Sequence, residues 1–71
     1  MKVGDTFWQV EKSVVGIYYC YPRTIKTLID LEFFVETEGA QSFTSQEKAE
    51  KKVEFYNNLL NNGWQLNKEM I

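Results

Sequence analysis

The sequence predicts an α+β domain: a small, mainly antiparallel sheet of roughly three to five strands, with one α-helix packed across one face. The expected order is β-β-β-(β)-α-β over a single globular domain, residues 1–71. Three observations lead there. Strand formers dominate the N-terminal third, alternation of apolar and polar residues recurs over residues 29–36, and a helical stripe with a start signal follows residue 44.

Thr6 to Lys12, "TFWQVEK", places Trp8 and Val10 on one strand face and Phe7, Gln9 and Glu11 on the other. Lys12-Ser13 serves as a turn. Val14 to Tyr21 forms the second strand and Pro22 ends it, because proline cannot donate to a ladder. In "TIKTLIDLEFFVET", residues 24–37, Ile29, Leu31, Phe33 and Val35 alternate with Asp30, Glu32, Phe34 and Glu36, a period-2 pattern that predicts a third strand. Glu38-Gly39 turns the chain, and Gln41 to Phe43 pair briefly as a fourth.

The helix, about 45–61, starts from a capping box, Thr44 with Glu47 three residues later. Ala49, Val53, Tyr56 and Leu60 recur at i, i+4, i+7 and i+11 and form its buried stripe. Glu47 and Lys51 pair on the exposed side. Asn61-Asn62-Gly63 stops it, and Trp64-Gln65-Leu66 reads as a short last strand. An SH3-like barrel with an added helix is the alternative architecture.

A chain of 71 residues buries only about 60 % of its unfolded surface, so one core is the limit. Its 44 % hydrophobic and 15 % aromatic content is that of a folded chain. A net charge of −2 favours neither nucleic acid nor an anionic membrane. No apolar run approaches the roughly 20 residues of a membrane span, and no secretory leader is visible. A single cysteine excludes an internal disulfide, which fits a reducing, cytoplasmic setting. With no histidine, the usual general base and the commonest metal ligand are missing. Cys20 has no activating partner nearby and reads as a small core residue. The glycines are too scattered for a phosphate loop. A non-enzymatic protein without cofactor or metal is expected.

In "GIYYCYPR", residues 16–23, Ile17, Tyr19 and Tyr21 share one face and Tyr18 and Cys20 the other. If one sheet face is open, Phe7, Phe34 and one tyrosine set line it, fringed by Asp30, Glu32 and Glu36. The competing expectation is a chain curled into a barrel, or loops laid over that face, with both aromatic sets in the core. Phe55 lies off the helix stripe, at a wide buried edge or at an interface.

The leading expectation is a protein-binding module of inhibitor or adaptor type, of the kind phages and mobile elements encode. Its candidate contact residues are Phe7, Tyr18, Asp30, Glu32, Phe34, Glu36 and Phe55. In a sharper variant, Asp30, Glu32, Glu36 and Glu38 imitate a phosphate backbone along the strand. The second expectation is single-stranded nucleic-acid binding, with tyrosines stacking bases and Lys12, Arg23 and Lys26 holding phosphates. The third is self-association through an edge strand, Trp8 to Glu11 or Trp64 to Lys68.

Overall fold

A computed structural model describes residues 1–69, with side chains through residue 61. The fold is α+β: β1 (Thr6–Lys12), β2 (Tyr18–Thr24), α1 (Leu28–Thr37), β3 (Ser42–Phe43) and α2 (Gln46–Glu69). The three strands form an antiparallel sheet in the order β2-β1-β3. The order is thus β-β-α-β-α, with two helices instead of one.

The β1–β2 hairpin turns at Ser13–Gly16, not at Lys12-Ser13. Gly16 N–H donates to the Ser13 carbonyl at 3.0 Å, and Gly16 has φ +89, where a side chain would be strained. Pro22 lies within β2 opposite Trp8 instead of ending the strand. The ladder bonds between β1 and β2 fall on odd-numbered residues, as at Ser13 to Ile17 and Ile25 to Asp5. The nitrogen of Pro22 therefore faces away from β1 on an edge strand, where a missing donor costs nothing.

Residues 28–37, expected as strand, are helix. Thr27 is the N-cap: its hydroxyl accepts from Asp30 N–H, and the Asp30 carboxylate accepts from the Thr27 N–H in return. This capping box starts α1 at Leu28. Thr37 finishes it, donating its hydroxyl to the Phe33 carbonyl and meeting the Ser42 hydroxyl at 2.7 Å, which ties α1 to β3. Gly39, at φ +86, then turns the chain back into β3, the brief pairing expected near residues 41–43.

Each face of the sheet carries one helix. On β1, Phe7 is 0 % exposed and Val10 is 3 % exposed, and they point to opposite sides, so both faces are dry. Phe7, Ile25 and Phe34 form one core under α1, with Leu31 and Phe33 packed against it. The Phe7 and Phe34 rings meet edge-on at 5.3 Å, worth about 0.5–1.5 kcal/mol beyond their burial. Val10, Phe43 and Ala49 form the other core under α2, joined by Trp8, Tyr18, Cys20, Val53 and Tyr56. The face expected to be open is thus covered around Phe7 by a helix instead of by a barrel or loops, while Tyr19 on the same face stays exposed.

α2 also departs from expectation. Its cap is Ser45, whose hydroxyl accepts from Lys48 N–H at 3.3 Å; Thr44 is exposed and the Thr44–Glu47 box is not formed. Ala49, Val53 and Tyr56 face the sheet, while Leu60 is 46 % exposed beside the Val15–Ile17 loop. Helical backbone continues through Gly63 to Glu69, so the expected stop and final strand lie inside α2. Glu47 and Lys51 pair as expected, at 3.4 Å. Among the described residues, no helix is long and apolar enough to cross a membrane.

Candidate interaction surface

The residues expected to form one contact surface are distributed over the two cores, an inward-turned network around Asp30 and two separate surfaces. Phe7 and Phe34 are core residues of the α1 layer, so neither is a contact residue. Tyr18 is half-buried under α2, its ring 4.9 Å from Tyr56. Phe55 is 51 % exposed on α2, where the Lys52 ammonium lies 5.1 Å from its ring.

Asp30 is turned inward. Its carboxylate accepts from Arg23 at 2.8 Å, and Arg23 also donates to Gln9 at 2.8 Å while lying over the Phe33 ring. The Lys26 N–H, the Arg23 guanidinium and the Thr27 N–H outweigh partial desolvation and hold Asp30 below the usual carboxylate range. This network rivets the sheet to the first turn of α1. It also removes Asp30 from any row of acids, and Glu38 lies beyond the helix as its C-cap. The phosphate-like row along a strand therefore does not exist.

The remaining two acids, Glu32 and Glu36, share the outer face of α1. At 100° per residue, Leu28, Ile29, Glu32, Val35 and Glu36 fall within an arc of about 120°. All five are exposed, with Leu28 at 75 %, Ile29 at 77 % and Val35 at 65 %. Leu31 and Phe34 lie on the opposite arc, against the sheet. Val35 is thus an outer residue, while Phe34, expected on the open sheet face, is in the core.

The outer face is electrostatically costly. Glu32 and Glu36 are like charges at i, i+4, which costs about 0.2–0.5 kcal/mol. Glu36 lies in the last turn, which has no basic residue, where the negative end of the helix dipole disfavours it by about 0.3–1 kcal/mol. Neither acid forms an ion pair among the described residues. Three bare aliphatic side chains around two unneutralised carboxylates make a surface suited to an apolar groove edged by cations.

Tyr19 and Tyr21 stack at 5.8 Å on the sheet face that carries Phe7, outside the α1 core. The Tyr19 hydroxyl donates to Glu11 at 2.9 Å, and that bond, more than partial burial, raises its pKa. A carboxylate thus sits beside the aromatic pair. The three cations do not converge on it: Arg23 is engaged by Asp30, Lys12 belongs to the other strand face, and Lys26 lies past the end of β2. Cys20 is half-buried against the α2 core, and desolvation, with Glu50 adding to it, pushes its thiol pKa up.

Two edges complete the picture. Along the outer edge of β2, the Asn57 side chain accepts from Tyr18 N–H at 2.8 Å and donates to the Tyr18 carbonyl at 3.2 Å. On the other side, β3 covers β1 only at Trp8 and Gln9. Beyond it a cleft of about 390 Å³ opens over Gln9–Lys12, walled by Tyr18, Tyr56 and Phe33.

The outward turn of Leu28, Ile29 and Val35 and the edge role of Asn57 were missed by the sequence reading. Thr27 with Asp30 three residues on was the available signal for α1. Asn57 carries no such signal, since its partner is 39 residues away. No protein-family model matches this chain, and no curated protein or solved structure is significantly similar to it.

Proposed function

We propose that the protein is a non-enzymatic binding module that acts by occupying another protein, in the manner of a small inhibitor or adaptor. Its contact face is the outer side of α1. The observation that carries this reading is the exposure of Leu28, Ile29 and Val35 around the unpaired Glu32 and Glu36. A domain of this size needs its large apolar residues in the core. Three of them on one outer helix face are supplied for something outside the chain. The partner is a protein with an apolar groove rimmed by lysine or arginine, since helix-in-groove recognition uses anchors such as the i, i+7 pair Leu28 and Val35.

The test is affinity capture from cells with wild type and a Leu28→Ser/Val35→Ser/Glu32→Lys variant in parallel. The expected result is a partner retained by wild type, released by salt and absent from the variant, while circular dichroism stays unchanged. A partner held equally by both proteins, or no partner distinguishing them, would sink the reading.

The stacked Tyr19–Tyr21 pair keeps a second reading, single-stranded nucleic-acid binding, in view. The nearby Glu11 and the dispersed cations count against it. Quenching of tyrosine fluorescence by oligothymidylate, reversed by salt, would favour it over the protein partner.

A further inference from the structure

The two edges of the sheet are treated differently by the fold. On β2, the outward N–H and C=O groups belong to even-numbered residues. Asn57 occupies both at Tyr18, and Pro22 has no N–H to offer. Such devices prevent another strand from adding to an edge. The β3 side of β1 has no equivalent. Val10 N–H donates to the Gln41 carbonyl at 2.7 Å, but Gln41 N–H turns back to Thr37 at 2.9 Å. The Val10 carbonyl and both backbone groups of Lys12 are left without a backbone partner among the described residues. The cleft of about 390 Å³ lies directly over them.

We propose that this edge of β1, Val10 to Lys12, takes an extended segment of a partner polypeptide as an added strand beyond β3. The segment donates an N–H to the Val10 carbonyl and accepts from Lys12 N–H. Its side chains alternate between the Tyr18–Tyr56 wall and the Phe33 wall, so the ones facing inward are apolar. Lys12 is the cation of the cleft and forms no ion pair among the described residues, whereas Glu11 is held by Tyr19. Charge complementarity therefore sets a carboxylate of the segment opposite Lys12. This site is separate from the outer face of α1 and does not depend on it.

The probe is a short acetylated and amidated peptide alternating valine with threonine and carrying one aspartate, added at about millimolar concentration because such binding draws mainly on main-chain bonds. Hydrogen exchange and chemical shifts of the full chain are followed by NMR. The expected result is slowed exchange of the Lys12 amide, by roughly tenfold or more at saturation. N-methylation of the peptide nitrogen facing Val10 should weaken binding by roughly tenfold, and exchanging its aspartate for asparagine by a smaller factor. Lys12→Pro removes the edge N–H and should abolish binding; if that variant does not fold, the N-methylated peptides decide alone. Glu32→Lys should leave peptide binding unchanged. An unprotected Lys12 amide, equal binding of the N-methylated peptide, or shifts gathered on α1 would each overturn the proposal.

Discussion

Replacing Asn57 by alanine should destabilise the fold and open the outer edge of β2. Asn57 makes two bonds to the Tyr18 main chain across 39 residues, the side-chain oxygen accepting and the nitrogen donating. At about 0.5–1.5 kcal/mol each, the pair contributes roughly 1–3 kcal/mol. Alanine is the better helix former by up to about 0.7 kcal/mol, so intrinsic propensity pushes the other way. The net expectation is a loss of about 0.3–2.3 kcal/mol, and each kcal/mol lowers Tm by about 4–8 °C in a domain of this size. Chemical denaturation gives the stability, and native-state hydrogen exchange gives the location, with Tyr18 N–H expected to lose its protection. Asn57→Asp should be as damaging, because a carboxylate accepts from the N–H but cannot donate to the carbonyl. If Asn57→Ala is as stable as wild type and Tyr18 exchange is unaltered, the amide does not close this edge. The contrast between the two sheet edges then fails with it.

Phe34→Ala should cost about 3–5 kcal/mol in denaturant titration, because the side chain is a buried wedge against Phe7; a loss below about 1 kcal/mol would return it to the surface. Ser45→Ala should cost about 1 kcal/mol and Thr44→Ala almost nothing, which thermal melts of the two variants separate. Asp30 has a folded pKa below its unfolded value, so its stabilisation is present above the unfolded pKa and lost as pH falls through the folded one. A pH series of melts should show an acid loss that is shallower in Asp30→Asn; identical acid limbs would refute the role of the Arg23 and backbone contacts.

Much of the fold was legible. The sheet-facing Ala49, Val53 and Tyr56 follow from helical spacing, the short pairing at residues 42–43 from the turn at Glu38-Gly39, and β1 from alternation. So does the division of Tyr18 and Cys20 from Tyr19 and Tyr21. Other features were hidden for physical reasons. Pro22 looks like a stop unless the strand is known to be an edge, and edge position depends on the distant β3. Gly63 looks like a stop because its cost in a helix, about 1 kcal/mol, is a local term that other terms can outweigh. The Thr44 box and the Ser45 cap are one residue apart, and local sequence serves either. Of the candidate contact residues, Glu32, Glu36 and Phe55 are exposed, while Phe7 and Phe34 are core.

The error over residues 28–37 has a cause that bears on function. A helix that merely covers a sheet needs one apolar face, and its sequence then shows a clear 3.6-residue period. α1 has two, an inner one with Leu31 and Phe34 and an outer one with Leu28, Ile29 and Val35. Superposing the two stripes fills in the gaps of the helical pattern and leaves the alternation at residues 29–36 that resembles a strand. Folding accounts for the inner stripe through the contacts with Phe7 and Ile25. It gives no account of the outer stripe, nor of Glu36 at the wrong end of the helix dipole beside a like charge. Where local sequence and fold disagree in this way, a demand from outside the fold is the natural reason. The residues that obscured the helix in the sequence are therefore the ones on which the binding proposal rests. Removing them should make α1 both more plainly helical and inactive: Leu28→Gln/Val35→Lys should keep or raise the melting temperature while losing the partner. A variant that binds normally would show the outer stripe to be incidental.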